Sequence, residues 1–186
     1  MKTALVVDDE PLIRRQVAET LAFYGFDEIL EAENGRLAVD LALIRNPLLI
    51  VMDVSMPVMD GISAAEKIGK KVSAPIVLLT ATADPATVER ARLAGVMSYV
   101  VKPFRSEQLY AAVDLAIHQF VEVSTLRDEV ASLKETLESR KLVEKAKGAL
   151  MKKGLSEPEA YRKMQKLAMD KRKSLKEVAE AILLME

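Results

Sequence analysis

Five short runs of β-favouring residues punctuate the first two-thirds of the chain: TALVV (3–7), EILEA (28–32), LLIVM (48–52), PIVLL (75–79) and SYVV (98–101). Between them lie amphipathic stretches of helical length: Pro11 to Tyr24 closed by Gly25, Arg36 to Arg45 closed by Asn46-Pro47, Ile62 to Lys71, and Ala86 to Ala94 closed by Gly95. Asp84-Pro85 opens the last of these with a capping carboxylate and a proline whose missing N–H costs nothing there. Few architectures accept such a repeat. Strands joined by helices must be parallel, the crossovers right-handed, and the helices divided between both faces of one sheet. The predicted fold of residues 1–120 is therefore α/β, a doubly wound five-stranded parallel sheet.

In an open parallel sheet, ligands bind outside the carboxyl ends of the strands. Those ends carry chemistry here. Asp8 and Asp9 follow the first run, Asp53 the third, Thr80 the fourth and Lys102 the fifth. Each residue type is ordinary at a strand end, but their conjunction on one edge is not. Three neighbouring carboxylates repel and raise one another's pKa unless a cation holds them. With no cysteine and a single His118 in the chain, the ligands are oxygens, which favours Mg²⁺. A carboxylate at such a site can attack phosphorus and become an aspartyl phosphate, with a lysine neutralising the developing charge. Asp53 is the predicted phospho-acceptor, Asp8 and Asp9 the metal holders, Lys102 the counter-charge and Thr80 the hydroxyl partner.

From Ser106 the strand signals cease. A helix capped by Ser106 runs on without glycine or proline to Gly148, and within it Val123, Leu126, Val130, Leu133 and Leu137 recur at coiled-coil spacing. The alternative is a stripe that packs on its own domain. Ser156-x-x-Glu159 and Ser174-x-x-Glu177 are capping boxes opening two shorter helices. Their apolar stripes are Ala160, Tyr161, Met164, Leu167, Ala168 and then Leu175, Val178, Ala179, Ile182, Leu183; with Leu142, Ala146, Ala149 and Leu150 they close a small three-helix, all-α domain. The expected divisions are 1–120, a helical coiled-coil linker over 121–138, and 139–186.

A formal net charge of −1 conceals a division. Residues 1–120 hold 12 basic and 16 acidic side chains, while Arg140 to Lys176 holds 13 basic and 4 acidic, a local net of +9. Lys141, Lys145 and Lys152 share one side of the long helix, Arg140 and Lys147 form a second stripe, and Lys171-Arg172-Lys173 make the last loop basic. Such a face is either solvated or meets a polyanion; the pattern alone leaves DNA and RNA open. The apolar runs are too short for a membrane span and the acids near Met1 argue against an export signal, so no membrane association and a cytoplasmic location are expected.

Residues 1 to about 120 resemble a two-component receiver domain: VVDDEP, MDVSMPVMDG, LLTATAD and YVVKPF fall in that family's order. The resemblance implies a flavodoxin-like fold, phosphorylation of Asp53 by a sensor histidine kinase, and Mg²⁺ held by Asp8, Asp9, Asp53 and the Ser55 carbonyl. It further implies a switch through Thr80 and Tyr99 and a cis bond before Pro103. Residues from about 133 to 184 resemble the ANTAR RNA-binding domain at Arg140, Ala146, Lys147, Gly148, Met151, Ala160, Tyr161, Ala168, Met169 and Ala179. That resemblance implies hairpin RNA as ligand, prevention of transcription termination, and a homodimer formed on phosphorylation. Arg140, Lys141, Lys145, Lys147, Lys152, Lys171, Arg172 and Lys173 are the candidate RNA contacts. Ala146, Gly148, Ala160 and Ala168 are read as close-approach points between helices, and Tyr161 as core. The expectation is a regulator, not an enzyme. A DNA-binding regulator is the nearest alternative, though no helix is rich in base-reading side chains. A Mg²⁺-dependent phosphatase is disfavoured because Val54 and Ser55, and no acid, follow Asp53.

Overall fold

The computed structural model describes residues 1–82 and 84–184. The five runs form β1 (Thr3–Val7), β2 (Glu28–Ala32), β3 (Leu49–Asp53), β4 (Ile76–Thr80) and β5 (Ser98–Val101). They pair in parallel in the order β2-β1-β3-β4-β5. β3 and β4 lie one residue later than their apolar runs suggest. Pro75 has no N–H to pair, and at the other end Asp53 pairs with Leu79 and Thr80 with Val101. Asp53 and Thr80 are thus the last residues of their strands rather than the first beyond them.

Because side chains alternate along a strand, each strand feeds two cores. Leu5, Val7, Ile50, Met52, Ile76 and Leu78 pack against helices α2 (Gly35–Arg45) and α3 (Gly61–Gly69). Ala4, Val6, Leu49, Val51, Val77 and Leu79 pack on the other face against α1 (Pro11–Tyr24) and the first turns of α5 (Ser106–Lys152). Asn34, Asp60 and Asp84 cap α2, α3 and α4 (Pro85–Leu93), each side chain accepting a backbone N–H from the first turn. These caps start each helix a residue before its apolar stripe begins.

The chain divides into two compact units, 1–123 and 124–186, and α5 contributes to both. In the second unit, α5 continues through Gly148 and is followed by α6 (Glu157–Lys171) and α7 (Leu175–Leu183). Both capping boxes form. Ala146, Leu150, Ala160, Met164, Val178 and Ala179 make the core, with Leu142, Leu167, Ala168, Leu175, Ile182 and Leu183 around it.

Two expectations are corrected here. Tyr161 is 39% exposed, so it borders the core instead of filling it; one turn of α6 has room for Ala160 and Met164 at the centre, and the adjacent position falls at the edge. Ala146 and Ala160 are fully buried, but a Cβ added at Gly148 meets nothing within 4 Å among the described residues, so Gly148 is no close-approach point among them. The stripe Leu126, Val130, Leu133 and Leu137 is 48–64% exposed, which leaves it unburied by the residues around it.

Candidate functional site

The parallel sheet brings the expected side chains to one edge. Asp8 follows β1, fully buried, its N–H bonded to the Ala32 carbonyl at 3.1 Å. Asp9 stands exposed beside it and Asp53 ends β3, almost wholly buried. Carboxylate oxygens of the three lie within 4.8 Å of one another. Lys102 reaches them from just beyond β5, its ammonium 2.7 Å from Asp8 Oδ2 and 3.0 Å from Asp53 Oδ1. The other Asp53 oxygen accepts the Ser55 N–H at 3.1 Å. The Lys102–Pro103 bond is cis, as the resemblance implied.

The electrostatics follow from burial. Desolvation pushes the Asp53 carboxyl above its ordinary value, and the Asp8 charge adds to the rise, against the opposing hydrogen bonds from Lys102 and Ser55. Burial alone works to lower the Lys102 ammonium, but its bonds to Asp8 and Asp53 hold it above the usual lysine value. Lys102 is therefore a fixed positive charge at physiological pH. Three oxygen ligands of like charge, one fully buried, with no sulfur or imidazole among them, suit a hard cation such as Mg²⁺.

Thr80 is where its strand directs it, but its hydroxyl donates to the Thr82 carbonyl at 2.6 Å rather than toward Asp53. Thr80 and Tyr99 line one small cleft together with Val88 and Ala91 of α4, and Tyr99 is about half exposed. Two supporting residues were given no role from the sequence, though Gly61 closes the MDVSMPVMDG motif. Arg14 of α1 donates to the Asp8 carbonyl at 2.8 Å while pairing with Glu31 at 2.9 Å. Gly61, at the start of α3, lies so close beneath β3 that a Cβ there would sit 2.0 Å from the Asp53 carbonyl oxygen.

The basic face in the second unit is partly committed. Lys147 bridges Glu144 and Glu157, both at 2.8 Å, and its ammonium lies 6.0 Å from the centre of the Tyr161 ring. Those two hydrogen bonds push it up to about 12. Arg140, Lys141, Lys145, Lys152, Lys171, Arg172 and Lys173 are all exposed, and among the described residues they form no ion pair. Arg172 closes α6 in the left-handed conformation, φ 50°. Among the described residues, no helix is long and apolar enough to cross a membrane.

Known proteins resemble this chain in whole or in part. The profile of the response regulator receiver domain matches residues 4–114, and that of the ANTAR domain matches residues 131–183. The transcriptional regulatory protein PdtaR of Mycobacterium tuberculosis is 49% identical over 98% of this chain and 89% of its own length. The chemotaxis protein CheY of Bacillus subtilis is 34% identical over 61% of this chain and 96% of its own. Among solved structures, Vibrio cholerae CheY4 superposes with a TM-score of 0.58 at 31% identity, covering 62% of this chain and 98% of that one.

Proposed function

We propose, from the premise that the chain belongs to the response regulators and joins a receiver domain to an ANTAR RNA-binding output, that it is a phosphorylation-controlled transcription antiterminator. The carrying observation is the union in one chain of the Asp8–Asp9–Asp53 cluster, bonded to Lys102, with an ANTAR domain that presents unpaired cations.

The chemistry assigned to the first unit is transfer of a phosphoryl group from a sensor kinase's phosphohistidine. An Asp53 oxygen attacks phosphorus, an O–P bond forms, and the P–N bond breaks with its electron pair returning to the donor imidazole. Asp8, Asp9, Asp53 and the Ser55 carbonyl are the residues that would hold Mg²⁺, which when bound would neutralise phosphoryl charge. Lys102, already 3.0 Å from Asp53, supplies a second positive charge that needs no reorganisation. Thr80 gives up its bond to Thr82 and turns to the new phosphoryl oxygens, and Tyr99 moves into the cleft it shares with Thr80.

In the second unit, hairpin RNA in a nascent transcript binds the basic face and termination is prevented. The exposed Leu126, Val130, Leu133 and Leu137 stripe is assigned to a second copy of the chain, engaged on phosphorylation. The experiment compares binding to a labelled two-hairpin RNA and to duplex DNA of equal length, with and without acetyl phosphate and Mg²⁺, in the wild type and in Asp53→Ala. RNA preference strengthened by acetyl phosphate and lost in Asp53→Ala supports the reading. Equal, steeply salt-dependent binding to both nucleic acids overturns it, and light scattering that finds a monomer under both conditions removes the dimer.

A further inference from the structure

Glycine is among the poorest helix formers, because it loses the most backbone freedom and packs no side chain. Inside a helix it costs stability against alanine, a cost that close approach of another group to the bare backbone can offset. Gly61, the first residue of α3, has such a neighbour in the Asp53 carbonyl, and Gly148 has none among the described residues. Gly148 lies within α5, one turn before its end at Lys152, and a Cβ built there points into open space, with nothing within 4 Å among the described residues outside its own helix backbone.

The surroundings of that bare backbone are specific. Lys141, Lys145 and Lys152 stand at i−7, i−3 and i+4 from Gly148, so all three lie on its face of the helix. All three are exposed and none forms an ion pair among the described residues. Lys147, the neighbour that is tied to Glu144 and Glu157, belongs to a different face. The helix thus carries a glycine that internal packing does not need, ringed by its free lysines.

We infer that the bare backbone at Gly148 is a seat for the sugar–phosphate backbone of bound RNA, with Lys141, Lys145 and Lys152 taking the flanking phosphates. The inference rests on the RNA-binding reading and assigns it a surface. A polyanion suits this seat better than a second copy does. Two copies pairing symmetrically through Gly148 would set each lysine triplet against its own image, and like charges there oppose contact.

The test measures hairpin-RNA affinity of the full chain across a salt series for wild type, Gly148→Ala, Gly148→Leu and Lys145→Gln, with thermal melts and sedimentation of each. Gly148→Ala is expected to hold or raise Tm while weakening RNA binding about tenfold. Its salt slope stays at the wild-type value because no charge is lost, whereas Lys145→Gln lowers the slope by about 1. Gly148→Leu weakens binding further. RNA affinity of Gly148→Ala within about twofold of wild type overturns the seat, as does a loss that tracks a change in oligomeric state. A wild type that does not prefer hairpin RNA overturns the proposed function itself, and the seat with it, before any variant is compared.

Discussion

Lys102 donates to both Asp8 and Asp53, so its removal leaves two buried carboxylates facing each other. Lys102→Met is expected to cost about 3–5 kcal/mol near neutral pH, the usual result of breaking a buried pair from one side. The loss should shrink on acidification, because the orphaned carboxylates then take up protons, and shrink again when Mg²⁺ replaces the missing charge. Urea melts at two pH values, with and without Mg²⁺, check this; a deficit indifferent to both would mean that Lys102 matters through packing alone. The wild-type site makes a second prediction. Burial, helped by the Asp8 charge, raises the Asp53 carboxyl above its ordinary value, so the folded state holds that proton more tightly than the unfolded one. In metal-free protein this contribution destabilises at pH above the raised pKa and is relieved as pH falls through it. Protons and Mg²⁺ compete for Asp53, so the Tm gain from Mg²⁺, about 2.7 kcal/mol of stabilisation at a hundredfold excess over Kd, should fade at a pH higher than an ordinary carboxylate would give. A gain that fades no earlier than that of an ordinary carboxylate site, with Asp9→Asn equally responsive, contradicts the metal assignment. Asp8, Asp53, Thr80 and Lys102 were legible in the sequence because each ends or follows an apolar run, and a parallel sheet gathers such ends on one edge. Arg14 was not, since only the path of α1 carries it to the Asp8 carbonyl. Thr80 was legible in place but not in orientation, because its bond to the Thr82 carbonyl depends on the local turn of the chain.

At the scale of elements, punctuation proved more readable than endpoints. Asn34, Asp60, Asp84 and Ser174 each mark a helix start by a side chain that accepts a first-turn N–H, and at Ser156 the backbone N–H donates to the Glu159 carboxylate of the first turn. Ser174 is a direct case: its oxygen accepts the Glu177 N–H at 3.2 Å while the Glu177 carboxylate accepts the Ser174 N–H at 2.8 Å. Ser174→Ala should cost the second unit about 1 kcal/mol, read as a lower midpoint of its chemical denaturation with unchanged RNA salt slope. Periodicity, by contrast, cannot distinguish a lysine that waits for a ligand from one that is already bound. Lys147 looks like a member of the basic stripe, yet it clamps the N-terminal end of α6 to α5 through Glu157 and Glu144. Lys147→Gln is therefore expected to lower the Tm of the second unit and leave the salt slope of RNA binding close to wild type. A slope reduced as much as by Lys145→Gln would return Lys147 to the contacts. The spacing of Leu126, Val130, Leu133 and Leu137 was equally ambiguous, since a stripe that packs at home and one that meets a partner have the same period; their exposure removes the first reading for this chain.

Over the whole molecule, charge and proposed control pull in opposite directions. Residues 1–120 carry 12 basic and 16 acidic side chains, whereas Arg140 to Lys176 carry 13 and 4. Turning the Asp53 carboxylate, itself one negative charge, into an acyl phosphate of about −1.5 to −2 makes the side that is already acidic more negative by roughly one charge or less. Long-range electrostatics alone would then make the phosphorylated chain a weaker partner for RNA, not a stronger one. If phosphorylation nonetheless raises affinity, the gain has to come from assembly or from uncovering a surface, and these differ in their salt dependence. Assembly through the Leu126–Leu137 stripe brings two basic faces to one RNA, so the number of neutralised phosphates doubles, and the slope of log K against log salt steepens about twofold. The linked second binding event also makes apparent affinity depend on protein concentration. Uncovering one face leaves the slope per chain unchanged and the isotherm hyperbolic. Titrating a two-hairpin RNA with and without acetyl phosphate at several salt concentrations separates these outcomes, and Leu133→Lys supplies the control. In that variant a lysine is placed in the seam, assembly is disfavoured by like charges meeting, and the phosphorylation-dependent steepening should vanish while the basal slope of the single face persists.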